Sequence, residues 1–163
     1  MIFNRSADMV DKIIDILSHD EELKNLLFYA QQQGAVLPSD TQISDNYILD
    51  YPIILQTQDC FSFINVLLDN IVCEEGIYVM TFKISCGVHL PAWKTPEGKK
   101  RIFLILDRIE ELLNGKKIGD SIGTLDIGAA EAVYWNINVI GYSMMLQMVE
   151  QADINESTIE QQF

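Results

Sequence analysis

Met9, Val10, Ile13, Ile14 and Leu17 fall at i, i+1, i+4, i+5 and i+8, the stripe of one helix face, and predict a helix over 6–17 with Ser6 as its N-cap. Ser18 followed by Glu21 fits a capping box, and Leu23, Leu26, Leu27 and Ala30 continue a second short helix before Gly34. The period is then lost: 34–51 is polar, with Pro38, Ser39, Asp40 and Asn46, and reads as an exposed excursion. Ile53, Ile54 and Leu55 give a short extended run after Pro52.

From there the pattern turns to a period of two. Segments 61–73 and 77–89 read as the strands of a hairpin turning through Glu74-Glu75-Gly76. In the second, Tyr78, Met80, Phe82, Ile84 and Cys86 alternate with Val79, Thr81, Lys83 and Ser85, as in a sheet packed on one face. Pro91, Pro96 and Gly98 break the ladder. Helical spacing returns in Ile102, Ile105, Leu106, Ile109, Leu112 and Leu113, with Gly115 as the stop. A second strand pair is predicted at 122–128 and 136–149. Its last strand carries Met144, Met145, Leu146, Met148 and Val149, apolar on both faces, which suits a central or covered position. The expected architecture is a single α+β domain over 1–152: a mainly antiparallel sheet from two hairpins, covered by an N-terminal helix pair and a central helix. The Gln-, Glu-, Asn- and Ser-containing segment 153–163 reads as a flexible tail.

Composition agrees with one domain, since 163 residues at 48% hydrophobic content fill a single core. A formal charge of −13, from 24 acidic and 11 basic residues, argues against broad attraction to nucleic acid or anionic lipid. The opening 17 residues are too charged for a signal peptide, and no apolar run reaches the roughly 20 residues of a membrane span, so the expected site of synthesis is a cytoplasm. Cys60, Cys73 and Cys86 make no CxxC pair. The hairpin count sets Cys73 opposite Tyr78 and Cys86 opposite Asn65, so reduced, buried thiols are expected.

Chemistry is sparse. His19 and His89 lie in no HxxH, HExxH or HxD spacing, so a histidine metal site or triad is not expected. Asp107, Glu110 and Glu111 read as the solvated face of the central helix. The segment GKKIGDSIGTLDIG, 115–128, matches neither GxxxxGK[ST] nor GxGxxG and enters a strand where a phosphate site needs a helix N-terminus. No catalytic, cofactor or metal residue is therefore assigned; a pocket gathering His89, Asp107 and Asp126 would reopen the question. The remaining cluster is Trp93, Lys94, Lys99, Lys100 and Arg101. It reads either as a ligand pocket framed by His89 and Trp93, or as a corner plugged by Trp93 with its cations turned outward; the second reading is taken. With Lys116 and Lys117 these residues are the candidates for contacting another acidic subunit, and reversing Lys99, Lys100 and Arg101 to Glu is expected to weaken assembly with the fold intact.

The stretch Ile-Leu-Ser-His-Asp-Glu-Glu-Leu-Lys-Asn-Leu-Leu-Phe-Tyr (16–29), the strand ending near Trp93, Arg101-Ile-Phe-Leu-Ile-Leu-Asp-Arg-Ile-Glu-Glu-Leu-Leu-Asn-Gly, Ile122-Gly-Thr-Leu and Gly141-Tyr142 resemble, in this order and over about 10–150, the neck and tail-terminator proteins of tailed bacteriophages. The resemblance implies a non-enzymatic virion subunit without cofactor. Its implied partners are itself, in a sixfold ring, the tail tube protein and the head–tail connector or neck proteins. Genomic DNA would pass through unbound, past an acidic inner surface. Segments 34–51, 91–101 and 115–121 are the candidates for reaching neighbours. Two alternatives stay open at this stage: a head-completion subunit, or an acidic cytosolic immunity or inhibitor protein that binds a basic partner.

Overall fold

The computed structural model describes residues 2–28, 44–57, 61–119 and 123–151. In chain order the elements are α1 (Ile2–His19), α2 (Glu21–Phe28), β1 (Ile48–Leu49), β2 (Phe63–Glu74), β3 (Ile77–His89), a 3-10 turn (Leu90–Ala92), α3 (Arg101–Leu113), β4 (Leu125–Tyr134) and β5 (Val139–Gln151). The five strands lie in the order β1-β2-β3-β5-β4, antiparallel except for β1, which runs parallel to β2. The α+β sheet-and-helix architecture is that expected from the periodicity.

One sheet face carries Ile64, Val66, Met80, Phe82, Ile84, Cys86, Val88, Leu125, Met144, Leu146 and Met148. These pack in one cluster with Ile13 and Leu17 of α1, Leu23 and Leu27 of α2, and Ile102, Ile105 and Ile109 of α3. All three helices therefore cover the same face. Most of these side chains have no exposure at all, and each removes on the order of 1.5–3 kcal/mol of apolar surface energy from water.

The opposite face is treated differently along its length. At the end where β3 stops, Phe63 and Val139 are fully buried although they lie outside the main cluster, and Trp135 meets Phe63 edge-on at 5.1 Å. Segment 50–57 runs from the β1 edge across this end. The Asn65 amide donates to Leu49 O and Tyr51 O at 2.9 and 2.6 Å, and the Asn136 and Asn138 amides donate to Gln56 O and Thr57 O at 2.7 and 3.0 Å. Toward the β2–β3 turn, Val72 and Val149 flank Val79 and both stand exposed.

Several boundaries differ from expectation, each for a local reason. Ser6 is not a cap: α1 starts at Ile2, and the Ser6 hydroxyl donates back to Phe3 O at 2.8 Å. Ser18 likewise stays inside α1 and donates to Asp15 O at 3.1 Å, while Asp20 caps α2 by accepting the Leu23 N–H at 2.8 Å. The short extended run is Ile48–Leu49, not 53–55; Ile54 is 89% exposed, and the strand interrupts the predicted excursion. Residues 34–43 of that excursion lie outside the described residues, as do Ala30 of the predicted second helix and the predicted tail.

Cys73 does face Tyr78, but Cys86 faces Ile64, because a bulge at Asp69 shifts the register by one. Cys73 is exposed and Cys86 buried, so the expectation of buried thiols fails for Cys73; Cys60 lies outside the described residues. The β2–β3 turn is a two-residue loop with positive φ at both Glu75 (49°) and Gly76 (76°), the geometry that a tight hairpin demands. β4 runs past the predicted 128 to Tyr134, through a Gly-Ala-Ala stretch that carries no strand signal of its own. β5 begins at 139 because the Asn136 side-chain oxygen Oδ1 accepts the N–H of Asn138 and Val139, both at 2.8 Å, which makes the turn.

Candidate assembly site

The seven candidate residues do not form one patch. After the 3-10 turn the Trp93 N–H donates to Leu90 O at 3.0 Å, and Trp93 O accepts the Arg101 N–H at 2.8 Å. The half-buried indole packs against the core. Between Trp93 and Arg101 the chain folds into a miniature hairpin: Lys94 bridges Lys100, Thr95 N–H donates to Lys99 O at 2.8 Å, and Gly98 N–H donates to Thr95 O at 2.9 Å. Gly98 sits at φ 82°, where a side chain would be strained. Lys94, Lys99 and Lys100 are exposed on this loop. Hydrogen bonds to the Glu97 carboxylate from its own backbone N–H and from Thr95 hold its carboxyl below the usual carboxylate range, with the positive charge of Lys99 and Arg101 contributing. The Lys100 ammonium lies 5.8 Å from the Phe103 ring centroid, and Phe103 is 5.5 Å from the Tyr142 ring.

Arg101 does not face outward with these lysines. It is 2% exposed; Nε donates to Ala92 O at 2.7 Å and Nη1 to Leu26 O at 2.8 Å. The guanidinium ties the corner after β3 and the end of α2 to the first turn of α3. A reversal that includes Arg101 is thus a change in the fold, and the expected separation of assembly from folding fails at this residue. The sequence held one signal: Arg101, Ile105 and Ile109 recur at i, i+4 and i+8, so Arg101 belongs to the buried stripe.

Lys116 and Lys117 lie past the far end of α3, which its 13 residues set roughly 20 Å from the Lys94–Lys100 loop. Gly115, at φ 68°, ends the helix. The segment after it pairs with the start of β4: Gly115 N–H donates to Leu125 O at 2.7 Å, Leu125 N–H to Lys116 O at 3.0 Å, and Lys117 bridges Thr124. Both lysines are exposed.

A site that sequence reasoning missed joins the helices. Arg108 on α3 grips Asp20 with two hydrogen bonds, Nη2 to Oδ2 at 2.6 Å and Nε to Oδ1 at 3.0 Å, and its Nη1 meets Glu111 Oε2 at 2.8 Å. The Arg108 hydrogen bonds hold the Asp20 carboxyl below its ordinary range, and Asp20 in turn raises Arg108. Asp20 is both the α2 cap and the anchor of α3, so Asp20→Ala is expected to cost about 2 kcal/mol at neutral pH. A carboxyl lowered by folding stabilises above its unfolded pKa of about 4 and loses that contribution as pH falls through the folded value. The difference between wild type and variant in urea titrations is therefore expected to shrink on moving from pH 7 to below pH 4.

His89, Asp107 and Asp126 do not converge. His89 ends β3, whereas Asp126 pairs through Gln147 to Thr81, eight residues along the same strand or roughly 26 Å away; Asp107 points to solvent from α3. A cleft between α1 and 44–51 is lined by Asp11, Asp15, Asp45 and Asp50 beside His19. Among the described residues, no three His, Cys, Asp or Glu side chains come together as metal ligands.

A search of curated proteins finds no match to this chain. Residues 20–148, from the α2 cap through the core-facing end of β5, match one family across most of the chain, and by that match the protein belongs to the YomW family, a phage-related family.

Proposed function

We propose that the chain is a structural subunit of a phage neck, a tail terminator that closes on itself as a ring, caps the last ring of the tail tube and offers a docking face to the head connector. The observation that carries this reading is membership in a phage-related family, joined to the ordered resemblance of its helix, hairpin, helix, hairpin succession to tail terminators. The function is assembly and not catalysis, exercised in the virion after synthesis in the host cytoplasm. Its partners are further copies of itself, the tube protein and the neck proteins.

In this reading the Lys94, Lys99 and Lys100 hairpin contacts an acidic neighbour. The loop is held by its own backbone hydrogen bonds, so its charge can be reversed without disturbing the core. The triple variant Lys94→Glu, Lys99→Glu, Lys100→Glu, supplied in trans to a phage lacking the gene, is expected to cut particle yield by on the order of tenfold or more while melting with the wild-type protein. Wild-type particle yield would remove the loop from the assembly.

A further inference from the structure

Among the described residues, each edge of the sheet is closed over one half and open over the other. On β4 the start is covered: the 115–117 segment pairs with Leu125 and Thr124, and the Asn114 side chain accepts the Ile127 N–H at 3.1 Å. Beyond the bulge that follows Ile127, no described residue pairs with the outer side of β4. The Trp135 N–H donates inward to Val139 O, so alternation turns the backbone groups of Ala130, Ala132 and Tyr134 outward. This stretch carries none of the lysines or prolines that protect a free edge, and Tyr134 is 76% exposed at its end.

The other edge is closed at its opposite end. β1 pairs only with Ile64 and Asn65, leaving the rest of β2 down to Glu74 without a neighbour among the described residues. The Ile64 N–H points outward to Tyr47 O; alternation, reset once by the Asp69 bulge, then turns Ile71 and Cys73 outward.

We propose that the open half of β4, Ala130–Tyr134, pairs with the open half of β2, ending at Glu74, in a second copy of this chain, so that sheets join head to tail. The inference rests on the ring reading above and supplies its seam. Three features select a second copy in the same orientation. β4 and β2 run in opposite directions within one sheet, so like-oriented copies meet antiparallel. The open halves are complementary, the 115–117 segment stopping one end of the joint and the neighbour's β1 the other. The charges also match: with Cys73 of the neighbour opposite Ala130 and Ile71 opposite Ala132, its exposed Glu74 and Glu75 come to the side of β4 that carries Lys116 and Lys117. A heterologous contact of this kind closes into a ring when its rotation permits.

The test uses the full chain. Light scattering of wild type is compared with Ala132→Pro, which deletes one outward N–H at an edge position that tolerates proline. Independently, Ala130→Cys in a Cys60→Ser background is oxidised and its disulfides are mapped. The expected results are a multi-subunit wild type, a variant reduced to the 18.5 kDa subunit mass, and an intermolecular bond between Cys73 and the new cysteine that yields a ladder of multimers. A multi-subunit Ala132→Pro protein without that bond overturns the seam and leaves the ring standing. A self-disulfide of Ala132→Cys in a Cys60→Ser, Cys73→Ser background, with products no larger than dimers, overturns it in favour of a twofold contact. A wild type monomeric at every concentration overturns both the seam and the ring.

Discussion

Arg101→Glu is expected to prevent folding. The residue stands at the first position of α3 with 2% exposure, and its guanidinium donates to the carbonyl oxygens of Ala92 and Leu26. A glutamate would remove both donors and aim a carboxylate at two acceptors in a place closed to water. Losing a buried hydrogen bond that a charged group makes costs about 1.5–3 kcal/mol, and two are lost here. The introduced carboxylate adds its own desolvation or must take up a proton. Against a total stability of about 5–15 kcal/mol for a domain of this kind, that loss is decisive. Far-UV circular dichroism and a thermal melt would show it: no cooperative transition for Arg101→Glu, and an ordinary one for the Lys94, Lys99 and Lys100 triple reversal. A cooperative melt of Arg101→Glu near the wild-type temperature would mean that the buried arginine does not join α2, α3 and the corner.

The second large effect is expected at the paired glycines of the central strands. Gly87 on β3 lies opposite Gly141 on β5. A Cβ on Gly141 would collide with the backbone carbonyl of Cys86, which the ladder holds in place. A Cβ on Gly87 would come within 2.6 and 2.8 Å of the Phe63 ring. The two substitutions thus differ in what must yield. Phe63 is a side chain, but it is fully buried and braced by Trp135, so Gly87→Ala should cost about 1–3 kcal/mol. At Gly141 the obstacle is a backbone atom of the neighbouring strand, and the expected cost exceeds about 3 kcal/mol. Urea midpoints would rank wild type above Gly87→Ala above Gly141→Ala; equal midpoints for the two variants would contradict the difference in obstacle.

Where period and burial coincide, the fold is legible in the residues. The stripe from Met9 to Leu17, the alternation from Tyr78 to Cys86 and the stripe from Ile102 to Leu113 each name an element and its inward face, because one face of each is packed and the other is not. The start of β4 is legible within the predicted 122–128, but its continuation to Tyr134 is not, since Gly128, Ala129 and Ala130 carry no preference for a strand and Ala130–Tyr134 owe their conformation to pairing with β5. The register of Cys86 is missed because a bulge leaves no mark that distinguishes Asp69 from any polar residue of the open edge.

The candidate site is harder to read for a related reason. Arg101 follows two lysines and shares their charge, yet it sits on the buried stripe, and only the packing of α2 and the 3-10 turn shows which property governs. Asp20 and Arg108 are 88 residues apart, so their contact belongs to the tertiary structure alone. The half-open edges of β2 and β4 are likewise a property of the sheet as a whole: each depends on which strand ends up beside which, and no local pattern encodes that.

The ring-forming terminator is tested most directly by electron microscopy of lysates after the gene is deleted from its parent phage or prophage. The account predicts filled heads lying apart from tails of abnormal length, because nothing stops the tube and nothing joins it to the head. Leaking heads beside tails of normal length would contradict the terminator role and place the subunit on the head side, and intact particles would contradict a place in the neck altogether.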